Sequence, residues 1–223
     1  MRRASVASLS VSAALGVLVG VMPARAASLP LGYGTGAGYC SLYGNYASSL
    51  SYDDVYACAT VESQGPTPFD ADKDESFQCV ELSARFLWAI YGIWAGPGSG
   101  VRDGADLVGA VHRRYPEIRV GTPAPGTVPV AGDVLSLGPG GAVDASFGHT
   151  AIVISDDQRH GRFRILSQNL PAGEAGMQTL SVDLSGHHNG RAWLNGVWTK
   201  ASWLELRRAP KPERPPPHRR HLG

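Results

Sequence analysis

An α+β domain is the fold class this sequence predicts, on three observations. Residues 76–92 carry apolar side chains at helical spacing on almost every side. From Gly132 onward the pattern changes to short strands separated by turns. Among those strands, Asn195-Gly196 sits between two β-rich runs, the strongest short signal for an antiparallel hairpin. A helix followed by consecutive antiparallel strands, without parallel crossovers, is the α+β pattern.

The helix has Ser76 ahead of it as a hydroxyl cap and Gly92 behind it as a stop. Between them Val80, Leu82, Ala84, Phe86, Leu87, Ala89, Ile90 and Tyr91 leave room for few charges, so the element reads as buried. Glu81 and Arg85 stand four apart, acid before base, and pair along the one polar stripe. Cys79 falls in the first turn, where free N–H groups and the helix dipole stabilise an anion. A thiol reacts as thiolate, with an ordinary pKa of about 8.5 that such a site can lower. An activated Cys79 would then react with iodoacetamide well below pH 8. Position alone leaves a second reading, an inert thiol packed in the core.

Ahead of this helix, Met1-Arg2-Arg3, an apolar run to Met22 and Ala24-Arg25-Ala26 form the three parts of a secretory signal, with cleavage expected after Ala26. The protein is accordingly expected outside the cytoplasm, with no membrane attachment after cleavage. Residues 27–74 are rich in Gly, Ser, Tyr and Asp without a clear period, an N-terminal extension. Its Cys40 and Cys58 lie in similar settings and are paired here as a disulfide; other pairings, or three reduced thiols, remain open. With three cysteines in the chain, that pairing leaves Cys79 odd, and an unpaired thiol in an oxidising compartment is either buried or used. Residues 65–75 are a turn-rich entry whose acids lack the glycine and closing glutamate of a calcium loop.

After Gly92 comes a glycine-rich loop. Leu107, Val111 and Tyr115 then mark an amphipathic helix from about Asp103 to Pro116. Strands follow at 133–137, 149–154, 162–169, 177–182, 192–194 and 197–199. Beyond residue 206 the chain is basic and proline-rich, read as a disordered tail that either tethers to anionic wall polymers or is merely solvated. A net charge of +1 gives the whole molecule no general attraction to nucleic acid. A monomer without cofactor is expected.

A cysteine nucleophile needs a base, and the base an orienting group. Of seven histidines, His149 alone follows a glycine at the mouth of a strand; His112 lies on a helix surface, and His187 and His188 in a Gly-His-His-Asn-Gly turn. Zinc is disfavoured, because no Cys-x-x-Cys or His-x-x-x-His spacing occurs. Trp94, Trp193, Trp198 and Trp203 are assigned mostly to the core, with a substrate groove as the other use.

Phe77-Gln78-Cys79-Val80-Glu81-Leu82, Gly132-Asp133-Val134, Gly148-His149-Thr150-Ala151-Ile152-Val153 and Ser167-Gln168-Asn169, in that order, resemble the CHAP family of cysteine amidases and peptidases. The resemblance spans residues 75–206. It implies a papain-like fold, the cysteine helix packed on an antiparallel sheet that carries the histidine, and cell-wall peptidoglycan as substrate, with the bacterial cell wall as the protein's place. It makes Cys79 the nucleophile, His149 the general base and Asn169 the orienting amide, with Gln78 and Gln168 as oxyanion or substrate contacts. The family often has Glu where this chain has Ser167, which puts the third role in doubt. Two other functions stay in view: a wall-binding module with weak turnover, and an exported papain-like protein peptidase.

Overall fold

A computed structural model describes residues 29–30, 32–42, 46–59, 67–70, 78–140, 143–170 and 174–206. The signal segment, the Ser76 cap and the basic tail lie outside the described residues. A short helix α1 (Gly38–Leu42) leads into a hairpin of β1 (Tyr46–Tyr52) and β2 (Val55–Ala59). Two helices follow, α2 (Cys79–Tyr91) and α3 (Leu107–Arg114). The strands are then β3 (Val120–Gly121), β4 (Val134–Leu137), β5 (His149–Asp157), β6 (Arg162–Leu170), β7 (Glu174–Val182), β8 (Arg191–Leu194) and β9 (Val197–Leu204).

The predicted fold class is overturned here. Instead of a helix layered on an open sheet, β4 to β9 close into a six-stranded antiparallel barrel, and the described chain is mostly β. Closure falls to β9, the longer arm of the hairpin at Asn195-Gly196, whose central residues both have positive φ, 47° and 88°. Residues 197–200 of β9 pair with β8, and residues 201–204 with β4 on the opposite edge. β3 pairs beside the same late segment, at Trp203 and Leu204. A closed ring leaves none of its strands with a free edge along the shared stretch.

Alternation along the strands produces two cores. Leu135, Leu137, Ala151, Val153, Ile165, Leu180, Ala192 and Trp203 fill the barrel. Their neighbours Val134, Ile152, Leu166 and Leu204 point outward and meet Leu82, Phe86 and Leu87 of α2 and Leu107 and Val111 of α3. That double burial is why β4 is apolar at nearly every position. α2 ends as the sequence predicts, at Gly92 (φ 69°), with Gly92 N–H on the Trp88 carbonyl and Ile93 N–H on that of Leu87. α3 starts later than predicted, at Leu107, because Asp103 Oδ1 accepts from the Asp106 N–H and holds a turn ahead of the helix.

The β1–β2 hairpin had no signature in the sequence. It is clamped by the Cys40–Cys58 disulfide (Cα–Cα 5.5 Å) and docks on α2 through a buried ion pair. Arg85 Nε donates to Glu81 Oε1 at 2.8 Å, both side chains fully buried. Further donors of Arg85 reach the carbonyls of Gly34 (3.0 Å) and Tyr56 (2.8 Å). Removing one partner of such a pair strands the other charge without water, at a cost of about 3–5 kcal/mol. Arg85→Met is therefore expected to lower stability by about that amount in urea unfolding, and a loss under about 1 kcal/mol, the range of exposed pairs, would show that the pair does not hold the hairpin to the helix.

Candidate active site

The start of α2 is built by residues that the sequence had singled out singly. Gln78, in extended conformation, is the N-cap residue, and Cys79 is the first residue of the helix. Gln168 Nε2 donates to the Gln78 carbonyl at 3.1 Å and to Glu81 Oε2 at 2.8 Å, while its Oε1 accepts from the Cys58 N–H at 2.9 Å. Asn169 has a left-handed φ of 55°, which interrupts the strand's alternation, and its amide N–H donates to Gln78 Oε1. Gln78 and Asn169 thus stand beside Cys79. Gln168 does not face the site: it is fully buried, with its carbonyl and amide ends both engaged.

Opposite this helix start lies the mouth of β5. Asp144 accepts from the N–H groups of Ser146 (2.7 Å) and Phe147 (2.8 Å), and its own carbonyl from Gly148, a turn that delivers the chain into the strand. At Gly148 (φ 64°) a Cβ would lie 2.3 Å from the Leu137 carbonyl, and at Gly104 one would lie 2.7 Å from the His149 backbone. Only glycine lets both loops close on His149. His149 pairs across from Leu137, with Ala151 and Val153 on its side of the strand. β6 runs alongside β5, with Leu166 across from Ile152, and carries Ser167, Gln168 and Asn169 toward the end of the barrel where β5 begins. The next residue, Thr150, donates its hydroxyl to the Leu135 carbonyl at 2.6 Å and lies 3.1 Å from the Ser83 hydroxyl, pinning α2 to β5. Its backbone N–H reaches the Cys79 thiol, so the predicted nucleophile meets the strand that begins with the predicted base.

Burial dominates the electrostatics. It pushes the Cys79 thiol up to about 11, a rise to which the Asp103 carboxylate adds and which the N–H groups of Thr150, Val80 and Cys79 only partly offset. By surface area Cys79 is still partly exposed; the rise comes from the packed protein around the sulfur. Burial also pushes His149 down to about 4, with its Nε2 buried and unpartnered. The resting pair is a neutral thiol and a neutral imidazole, so the low-pKa thiolate expected from helix position does not form ahead of reaction. Ser167 is fully buried, its hydroxyl likewise without a partner. Asp103, Gly104 and Thr150 were not foreseen as parts of the site; the Asp-Gly turn dipeptide was the one signal for the first two. Among the described residues no group of three His, Cys, Asp or Glu side chains is placed to hold a metal ion.

A protein-family model, that of the CHAP domain, matches residues 70–169, which hold Gln78, Cys79, His149, Ser167 and Asn169. Those residues are a CHAP domain. Among solved structures, an N-acetylmuramoyl-L-alanine amidase from Staphylococcus aureus is similar at 15% identity over 70% of this chain and 37% of that one, with a TM-score of 0.37. This chain therefore spans well under half of that protein. No curated protein matches the sequence. The barrel that houses the CHAP domain's histidine extends past the matched segment, since β7, β8 and β9 all lie beyond residue 169.

Two outcomes follow from the buried, neutral pair. An unfolded chain takes up the His149 proton below about pH 6.5, the folded protein only near pH 4. Stability is therefore lost as pH falls through that window, by roughly 3 kcal/mol at about 1.4 kcal/mol per unit. Thermal melts between pH 7 and 4 should show the fall, and His149→Gln should flatten it; an unchanged slope in the variant would assign the acid sensitivity elsewhere. Alkylation of Cys79 by iodoacetamide should climb about tenfold per unit from pH 7 to 9. A plateau below pH 7 would reveal a thiolate–imidazolium pair instead.

Proposed function

We propose that this protein is an exported cysteine amidase or endopeptidase that hydrolyses amide bonds in bacterial cell-wall peptidoglycan. The observation that carries the reading is the setting of Cys79, at the N-terminus of α2, against the first residues of β5, where His149 stands, inside a CHAP domain. His149 removes the thiol proton as Sγ attacks the amide carbonyl, so the thiolate exists only in the course of attack. Developing negative charge on the carbonyl oxygen is met by the Cys79 backbone N–H and by Gln78 Nε2, whose partner atom Oε1 is occupied by Asn169. Imidazolium then returns the proton to the leaving nitrogen. Water, deprotonated by the same ring, cleaves the thioester and restores the thiol. Asn169 is the orienting group in this reading: its N–H is held by Gln78, leaving its carbonyl for the ring opposite.

Export rests on the segment Met1–Ala26, and a loose hold on anionic wall polymers on the basic tail beyond residue 206. One observation favours a second reading, a wall-binding module with weak turnover. Ser167, where the family often carries an acid, offers the buried His149 no negative charge, and an imidazolium formed there is poorly stabilised.

Mass spectrometry of purified peptidoglycan incubated with residues 27–223 tests both. Wild-type protein should release fragments with one new amine and one new carboxylate per bond cut. Cys79→Ser should lower the rate by about 10³-fold or more, and His149→Ala by about 10²- to 10⁴-fold. Equal products from wild type and Cys79→Ser, or none from either under reducing conditions from pH 5 to 8, would retire the hydrolase.

A further inference from the structure

On the outer face of the barrel, Arg191 of β8 and Lys200 of β9 stand directly across from each other. Like charges in that position repel, and neither forms an ion pair among the described residues. Arg191 reaches only the Trp198 carbonyl, at 3.5 Å, and the Lys200 stem lies over Gly138. To one side of these cations opens a cleft of about 510 Å³, in which Thr122, Asn189 and Ser202 supply hydroxyl and amide groups. To the other side, two residues along each strand and so about 7 Å away, Trp193 faces Trp198. Their rings meet edge to face at 5.2 Å, and His188 stacks on Trp198 at 4.2 Å and 13°, which fixes the pair. Trp193 is left 40% exposed.

We propose that this face is a binding site for an acidic oligosaccharide: the apolar face of one pyranose on Trp193, a carboxylate between Arg191 and Lys200, and the next sugar's hydroxyl and amide groups in the cleft. Cleft, cation pair and aromatic ring follow one another at the spacing of linked sugar residues. An exposed indole wants an apolar partner surface with polar edges, and two unopposed cations want an anion that fits a fork and a point charge. A polyanion has little to gain, because only two cations are offered and the cleft is lined by neutral groups. The cleft's far wall, Ala105, adjoins Gly104, which packs on the His149 backbone. A strand held here is led toward the candidate active site. The inference rests on the peptidoglycan reading for the identity of the polymer.

Binding is measured with the full mature chain carrying Cys79→Ala, so that turnover plays no part. The probes are soluble, uncross-linked peptidoglycan strands with free carboxylates, the same strands with those carboxylates amidated, neutral N-acetylglucosamine hexamer, and poly(glycerol phosphate). Free-carboxylate strands should bind about tenfold tighter than amidated ones, the effect of one charge-assisted contact. Arg191→Gln with Lys200→Gln should abolish that difference, and Trp193→Ala should weaken the charged and neutral glycans alike. Equal affinity for free and amidated strands in the parent would overturn the proposal, as would poly(glycerol phosphate) displacing the strands at equal charge. Wild-type protein that cleaves while the parent variant shows no such preference would sink this site alone; a preference without cleavage by wild type would sink the hydrolase alone.

Discussion

Two opposite charges without access to water hold this molecule together at the place where its separate parts meet. Glu81 and Arg85 belong to one turn of α2, yet their remaining hydrogen-bonding groups go to three other segments. Glu81 accepts from the Tyr39 hydroxyl and from Gln168 on β6, and Arg85 lies over the Tyr39 ring at 4.3 Å while donating to two carbonyls of the N-terminal segment. Gln168 passes the connection on to the Cys58 N–H and to the Gln78 carbonyl. The disulfide hairpin, the barrel and the residue before Cys79 therefore share one polar cluster. Each member desolvates the next, so the cluster is favourable only when complete.

The protein packed around the helix start also sets the protonation of the cysteine. It disfavours a thiolate by burial, although Cys79 keeps some exposed surface. The dipole and three N–H groups act in the opposite sense and do not overcome burial. A neutral thiol and a neutral imidazole are what such burial favours.

Local grammar carried much of the molecule. The glycine stop of α2, the strands from β4 onward and the turn at Asn195-Gly196 follow from spacing and turn chemistry, and the pairing of Cys40 with Cys58 from cysteine count and setting. The start of α2 does not, since its N-cap residue is Gln78 and not Ser76. What could not be read locally was partnership at a distance. Nothing in residues 197–204 announces that one half pairs with β8 and the other with β4, so a run of strands looked like an open sheet. The same limit hid what the charges hold: Glu81 and Arg85 could be paired along α2, but the hairpin that docks on them has no period of its own. In the site, position in the sequence pointed to Cys79 and His149, and the resemblance to the CHAP family to Asn169. The backbone groups that surround the thiol, and the burial that sets its proton, are properties of the assembled fold.

The double pairing of β9 bears on how the chain comes into being. The strand that completes the ring is the last of the ring's strands to be made, and Leu204 and Leu206 at its end lie in the same core as α2. Until those residues leave the ribosome, the nascent polypeptide holds two unsatisfied strand edges and an incomplete core beneath α2. The ring and the core beneath α2 are thus completed late in the chain, by a segment that contributes none of the candidate site's side chains.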